Sequence, residues 1–161
     1  FNQHPEVKLV IAPHVIDENH LVEIIRKLKR PYVRYTRADE KNVRKADCLI
    51  IDCFGLLSSI YRYGEIAYIG GGFGVGIHNT LEAAVYGIPV IFGPKYQKFQ
   101  EAIQLLEAKG AFSVKDYEEL KTLLDRMLTD EVFLRESGMN ASNYVTGNAG
   151  ATDKIMSMIN F

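Results

Sequence analysis

Several patterns that would name a ligand outright are missing from this chain. No G-x-G-x-x-G occurs, so the dinucleotide fingerprint is absent and an NAD dehydrogenase half is a poor fit. No G-x-x-x-x-G-K-[ST] occurs either, which excludes a P-loop. No apolar run approaches the roughly 18 residues of a membrane span, and no signal-peptide pattern opens the chain. The net charge of −1 removes any global field that would favour nucleic acid. The two cysteines, Cys48 and Cys53, lack C-x-x-C spacing and the company of a four-ligand site. They read as buried free thiols in a reducing compartment. Internal repeats, low-complexity tracts and interdomain linkers are also missing.

What remains is an ordinary globular composition, 47% hydrophobic and 24% charged. At 161 residues the chain is one domain by size, able to bury roughly 70% of its unfolded surface. It opens with Phe1, directly before a strand, which is expected of a piece of a longer protein.

Strand and helix patterns alternate along the chain. Val7 to Pro13 is a continuous apolar strand in the style of a buried parallel sheet. His14 follows at its carboxyl end, where open α/β sheets place ligands. Asp17 can cap a helix whose apolar face carries Leu21, Ile24, Ile25 and Leu28. Pro31 to Thr36 is a second strand, and Arg37 to Lys45 is a solvated charged loop. Cys48 to Asp52 is the third strand. Asp52 at its end either faces ligand or caps a helix running from Phe54-Gly55 to about Arg62. Gln100 to Lys109 forms an amphipathic helix ending at Gly110, followed by a short strand from Ala111 to Val114. Asp116 caps a helix carrying Leu120, Leu123, Leu124 and Leu128. Asp130 begins another towards Tyr144, and Ala149 to Ile159 forms the last. This alternation predicts an α/β fold: one Rossmann-like, doubly wound parallel sheet of about six strands spanning residues 1–161.

The stretch from Ile66 to Pro94 holds the chemistry. Ile66 to Ile69 is an apolar strand. Five glycines lie between positions 70 and 76, so no regular element continues there. A helix is expected from His78 to Tyr86, ended by Gly87 at C′ with Pro89 blocking its continuation. Val90 to Phe92 is a buried strand closed by Gly93-Pro94. Glycines let a backbone approach a ligand closely, and amides at a helix start suit a phosphate. Glu82 near that mouth can accept hydrogen bonds from ribose hydroxyls. Together these describe a nucleotide. A glycine-rich α/β connection with no ligand is the competing reading; Asn79 and Glu82 favour the nucleotide. Lys95 and Lys98, after Pro94, either neutralise an anionic donor or are plain surface lysines.

Gly70-Gly71, His78-Asn79-Thr80-Leu81-Glu82-Ala83-Ala84 and Gly87-Ile88-Pro89-Val90-Ile91-Phe92-Gly93-Pro94 resemble the C-terminal domain of 3-deoxy-D-manno-octulosonic acid (Kdo) transferases. These are GT-B glycosyltransferases of lipopolysaccharide assembly. Asp52-x-x-Gly55-x-Leu57-x-x-x-Tyr61 is similar to the family's segment before the glycine loop, and Asn148-Ala149-Gly150-Ala151 to its C-terminal helix. The sequence departs from the family at three places. Only Pro13-His14 stands where an arginine-histidine pair is usual, Leu56 stands where an acid is common, and Gly72 where serine is common.

The resemblance implies the C-terminal half of a GT-B fold, which binds CMP-Kdo in an enzyme that transfers Kdo to a lipid A precursor. It implies nucleotide contacts from His14, Asp52, Gly55, Gly71, Gly72, His78, Asn79, Thr80 and Glu82. The Gly71 and Gly72 amides and the helix start would stabilise the departing CMP, Glu82 would take the ribose diol, and Asn79 would bond the phosphate or hold the loop. His14 would stand in for the arginine or serve as a loop cap. A donor with one phosphate demands no bridging metal, and the His78 to Glu82 spacing lacks a third ligand, so no cofactor or metal is expected. The general base is expected on an N-terminal domain that this chain does not include, and so is contact with the acceptor. The fragment would then bind donor without turning it over. The whole enzyme would work at the cytoplasmic face of the inner membrane. Another GT-B enzyme or epimerase using a uridine donor, and a non-enzymatic nucleotide-binding module, are the alternatives.

Overall fold

The structure, a computed structural model, describes residues 1–150 and 155–157. It divides into two compact units, Phe1–Ser59 and Ile60–Phe161, each built around its own apolar core.

The first unit runs β1 (Leu9–Ile11), α1 (Glu18–Lys27), β2 (Tyr32–Arg34), a 3-10 turn (Tyr35–Arg37), α2 (Glu40–Val43) and β3 (Cys48–Ile50). Its strands are parallel in the order β1-β3-β2. Alternation along the strands sends Leu9, Ile11, Cys48 and Ile50 to one face, where Leu21, Ile24, Ile25 and Leu28 of α1 cover them. Asp17 caps α1 as its position foretold, accepting from the His20 N–H at 3.1 Å. Two expectations change here. The strand over Val7 to Pro13 narrows to three residues and is not buried on both sides, because Val10 is 46% exposed. The charged stretch taken as a loop contains α2, nucleated by a reciprocal cap. Asp39 accepts from the Lys41 and Asn42 N–H groups while Asn42 Oδ1 accepts from the Asp39 N–H.

The boundary falls within α3 (Leu57–Ile60), and the second unit runs from a 3-10 turn (Tyr61–Tyr63) into β4 (Ala67–Ile69), α4 (Leu81–Ala84), β5 (Val90–Phe92), α5 (Gln100–Glu107), β6 (Ala111–Ser113), α6 (Tyr117–Thr129) and α7 (Glu131–Asn148). Its strands are parallel in the order β4-β5-β6. β5 is buried on both faces. Val90 and Phe92 pack with Ala83, Ala84, Leu105 and Ala141 of α4, α5 and α7. Ile91 packs with Met127 of α6 and, at the start of α7, with Phe133 and Leu134. Helices therefore cover both faces, the doubly wound arrangement expected.

Among the described residues six parallel strands are present, and they pair as two ladders of three rather than one of six. Each ladder centres on an apolar run, Cys48-Leu49-Ile50 in one and Val90-Ile91-Phe92 in the other. The helix expected from Phe54-Gly55 starts later, at Leu57, because Gly55 sits at φ +88, outside helical space. Asn148 ends α7, and residues 155–157 are helical. Ala149, the expected first residue of the last helix, is extended and Gly150 has φ +87, so neither is helical; the remainder of that expected helix, including Met158 and Ile159, lies outside the described residues.

Small residues let α7 approach closely. A Cβ on Gly138 would stand 2.2 Å from the Gly87 carbonyl oxygen, and one on Gly110 would stand 2.6 Å from Ala141 backbone atoms. Gly110 therefore does not end α5 by its conformation. Lys109 does so, with φ 59. The Gly110 N–H reaches the Leu105 carbonyl at 2.9 Å and the Lys109 N–H the Leu106 carbonyl at 3.0 Å, a Schellman pair. A lysine in left-handed conformation costs roughly 1–2 kcal/mol. Lys109→Gly should relieve it and stabilise the protein by about 0.5–1 kcal/mol after the entropy glycine loses on folding. Urea titration checks this; an unchanged or lower midpoint contradicts it.

Candidate functional site

The glycine segment leaves β4 at Ile69, which stands in register with Phe92 of β5. It crosses the carboxyl end of β5 with main chain against main chain. A Cβ on Gly72 would meet the Gly93 nitrogen at 2.6 Å, and one on Gly93 the Gly72 carbonyl carbon at 2.7 Å. The Lys95 N–H donates to the Gly72 carbonyl at 2.9 Å, fastening the crossing. Beyond it the loop curls on itself. The Gly71 carbonyl accepts from the Gly74 N–H at 2.8 Å and the Gly76 N–H at 3.3 Å, and the His78 N–H closes the base on the Gly70 carbonyl at 3.2 Å. Gly71 has φ +88, and a Cβ there would strike the Gly76 oxygen at 2.2 Å. Ile77, 4% exposed, anchors the returning limb in the core.

From sequence, these glycines are expected to allow close approach by a ligand. At Gly71 and Gly72 the space a Cβ would fill is occupied by the protein's own backbone. The amides of Gly74, Gly76 and His78 are likewise committed internally. Among the described residues, the Gly72 and Asn79 N–H groups enter none of the loop's backbone hydrogen bonds.

The helix expected from His78 begins only at Leu81 and is one turn long. The loop closure at His78 holds the chain outside helical geometry until Thr80. A single turn aligns few peptide dipoles, so the amides rather than a helix dipole must carry any anion. Asn79 Oδ1 accepts from the Leu81 N–H at 2.9 Å, and Asn79 Nδ2 donates to Glu82 Oε1 at 3.1 Å. Glu82 is half-buried, at the rim of the loop rather than in the interior. Burial, and then the charge of Glu82, push the Tyr61 phenol above its usual pKa. In the sequence, only the place of Tyr61 in the Asp52 to Tyr61 motif marks it. Thr80 is 1% exposed and its buried hydroxyl has no hydrogen-bond partner among the described residues. It faces the core, not the surface. His78, Lys95 and Lys98 are exposed.

Three of the residues singled out from sequence lie in the first unit. His14 is exposed on the bend after β1. Gly55, at φ +88, has open space where a Cβ would stand. Asp52 is neither a helix cap nor an open carboxylate. Its Oδ1 accepts from the Thr36 N–H at 2.9 Å. Its Oδ2 accepts from Thr36 Oγ1 at 2.6 Å and Arg34 Nε at 2.8 Å. Arg34 Nη1 also donates to both Glu18 oxygens, at 2.8 and 2.9 Å. The Asp52 side chain is 1% exposed. Burial disfavours its charge, yet the Thr36 and Arg34 bonds outweigh that and hold its pKa at about 2. Arg34 and Thr36 escaped the sequence argument because their partner lies far along the chain. Cys48 is buried, and burial lifts its thiol to about 11; Cys53 is only half-buried. Among the described residues no group of three or more His, Cys, Asp or Glu could hold a metal, and no helix is long and apolar enough to cross a membrane.

No protein-family profile matches the chain. The C-terminal CMP-Kdo binding domain of WaaA from Acinetobacter baumannii has the same fold, with a TM-score of 0.72 at 19% identity over 86% of this chain and 73% of that one. By fold, then, the chain matches the C-terminal half of a GT-B fold. In sequence the chain is similar to 3-deoxy-D-manno-octulosonic acid transferases over most of its own length. The protein of that name from Aquifex aeolicus (strain VF5) is 36% identical over 128 residues, 78% of this chain and 35% of the relative. The one from Rickettsia bellii (strain RML369-C) is 32% identical over 116 residues, 70% of this chain and 28% of the relative. The chain spans about a third of the length of these curated relatives.

Two outcomes follow from the geometry. Gly72→Ala should destabilise the ligand-free protein by about 1–3 kcal/mol, because the new methyl lands on the Gly93 backbone; chemical denaturation without ligand reads this directly, and wild-type stability would return the glycine to a ligand role. Asp52 has a folded pKa below its unfolded value, so its stabilisation is present above about pH 4 and lost as pH falls through about 2. Asp52→Asn should therefore flatten the fall of melting temperature between those pH values. An equally steep fall in the variant would show that other groups govern it.

Proposed function

We propose that this chain is the donor-binding part of a Kdo transferase and that it holds CMP-Kdo. The observation that carries the reading is the sequence relationship to enzymes of that name over most of this chain. The fold shared with a CMP-Kdo binding domain supports it. In this reading the phosphate of CMP lies against the Gly72 and Asn79 amides, with Lys95 adding positive charge nearby. Glu82 accepts from the ribose diol. Fixed donors of this kind stabilise the charge that grows on CMP as it leaves, and losing one typically costs about 2.7–4 kcal/mol in enzymes that depend on it.

Transfer to a lipid A precursor takes an acceptor hydroxyl to the anomeric carbon as the bond to CMP breaks. The hydroxyl proton goes to a general base. That base, and the acceptor contacts, belong to the portion of the relatives that this chain does not match, so the 161-residue chain binds donor and does not turn it over. The complete enzyme works at the cytoplasmic face of the inner membrane.

Calorimetry with CMP, UMP and UDP tests the assignment. CMP should bind tightest, and Glu82→Ala should weaken it by about tenfold to a hundredfold, the usual worth of hydrogen bonds to a charged group. Preference for UDP would point to a uridine donor instead. Unchanged affinity in Glu82→Ala would remove the ribose contact, and transfer of Kdo by the chain alone would refute the division of labour.

A further inference from the structure

The carboxamide of Asn79 is used at both ends. Oδ1 accepts from the Leu81 N–H at 2.9 Å and Nδ2 donates to Glu82 Oε1 at 3.1 Å. The first bond determines the second. With the amide turned over, an NH₂ would face the Leu81 N–H and a carbonyl oxygen would face a carboxylate, two repulsive pairs. Thr80, the formal N-cap of α4, contributes no side-chain cap, and its hydroxyl is turned into the core. Asn79 serves the first turn in its place.

Glu82 sits on a turn whose position is fixed by the buried Ala83 and Ala84. Its rotamer is what remains to be set, and the Asn79 bond to Oε1 sets it, leaving Oε2 to accept elsewhere. Tyr61 is partly buried against the same core.

We propose that Asn79 is a positioning residue, which holds one oxygen of Glu82 so that the other is presented to the ribose diol of the donor. This rests on the reading in which Glu82 binds ribose. It assigns Asn79's side chain to the pentose end of the nucleotide rather than to the phosphate.

A ligand-truncation cycle separates the two, using calorimetry with CMP, 2′,3′-dideoxy-CMP and cytidine. Asn79→Ala should weaken CMP about tenfold. The loss should shrink below about twofold for 2′,3′-dideoxy-CMP, which has no diol to present, and persist for cytidine, which has no phosphate. A loss that persists with the dideoxy nucleotide and vanishes with cytidine would make the Asn79 side chain a phosphate ligand and overturn the proposal. Asn79→Asp keeps an acceptor for the Leu81 N–H but sets a carboxylate against Glu82. It should unfold at the wild-type temperature and still lose CMP affinity, with affinity now varying with pH in the acidic range. CMP binding by Asn79→Asp equal to wild type would also overturn the proposal. The underlying reading fails separately, when the wild-type chain binds CMP and 2′,3′-dideoxy-CMP equally or binds neither.

Discussion

Gly72 and Gly93 bring two lengths of main chain closer than any side chain would allow. That crossing sets the path of everything after it. Because the loop lies across the carboxyl end of β5, its returning limb can bury Ile77 and Thr80, and α4 can place Ala83 and Ala84 in the core beneath. Asn79 and Glu82 are then left on the outer side of the same turn. The Lys95 N–H on the Gly72 carbonyl ties the next segment to it. A loop closed in this way, by His78 on Gly70 and by two amides on Gly71, is a rigid rim rather than a slack connection, and a rigid rim is what preorganised donors need.

Two carboxylates show how differently the protein treats the same group. Asp52 is nearly inaccessible, and Arg34 and Thr36 between them bond both its oxygens. Its charge is stabilised within the first unit, and its low pKa expresses that. Glu82 is half-buried with one oxygen bonded by Asn79. A carboxylate held at one end and available at the other suits recognition, because its geometry is prepared but its hydrogen-bonding capacity is not used up.

Much of the fold was legible in local pattern. Asp17, Asp116 and Asp130 each cap the helix that their position announced, and the apolar stripe of α1 faces the sheet as its spacing required. Misplaced boundaries trace to contacts no local pattern carries. Gly110 looks like a helix stop, yet its glycine is demanded by Ala141 of α7, and Lys109 bends the chain instead. The helix after the glycine loop was drawn too long because the bond from His78 to Gly70 competes with its first turn. Asp52 was placed at the ligand end of its strand without sight of Arg34 and Thr36, which stand far from it in sequence.

By itself, the order of residues determined the alternation of strands and helices, the glycine segment between β4 and α4, and the resemblance to Kdo transferases. Those properties live in periodicity, turn chemistry and short motifs, all of which act over a few residues. Only the tertiary structure decided why the glycines are glycine, which carboxylate is sealed and which is open, and where the six strands divide into two ladders. Each of those depends on what meets a group from elsewhere in the chain, and a backbone crossing or a buried ion pair leaves no local trace in the residues that make it.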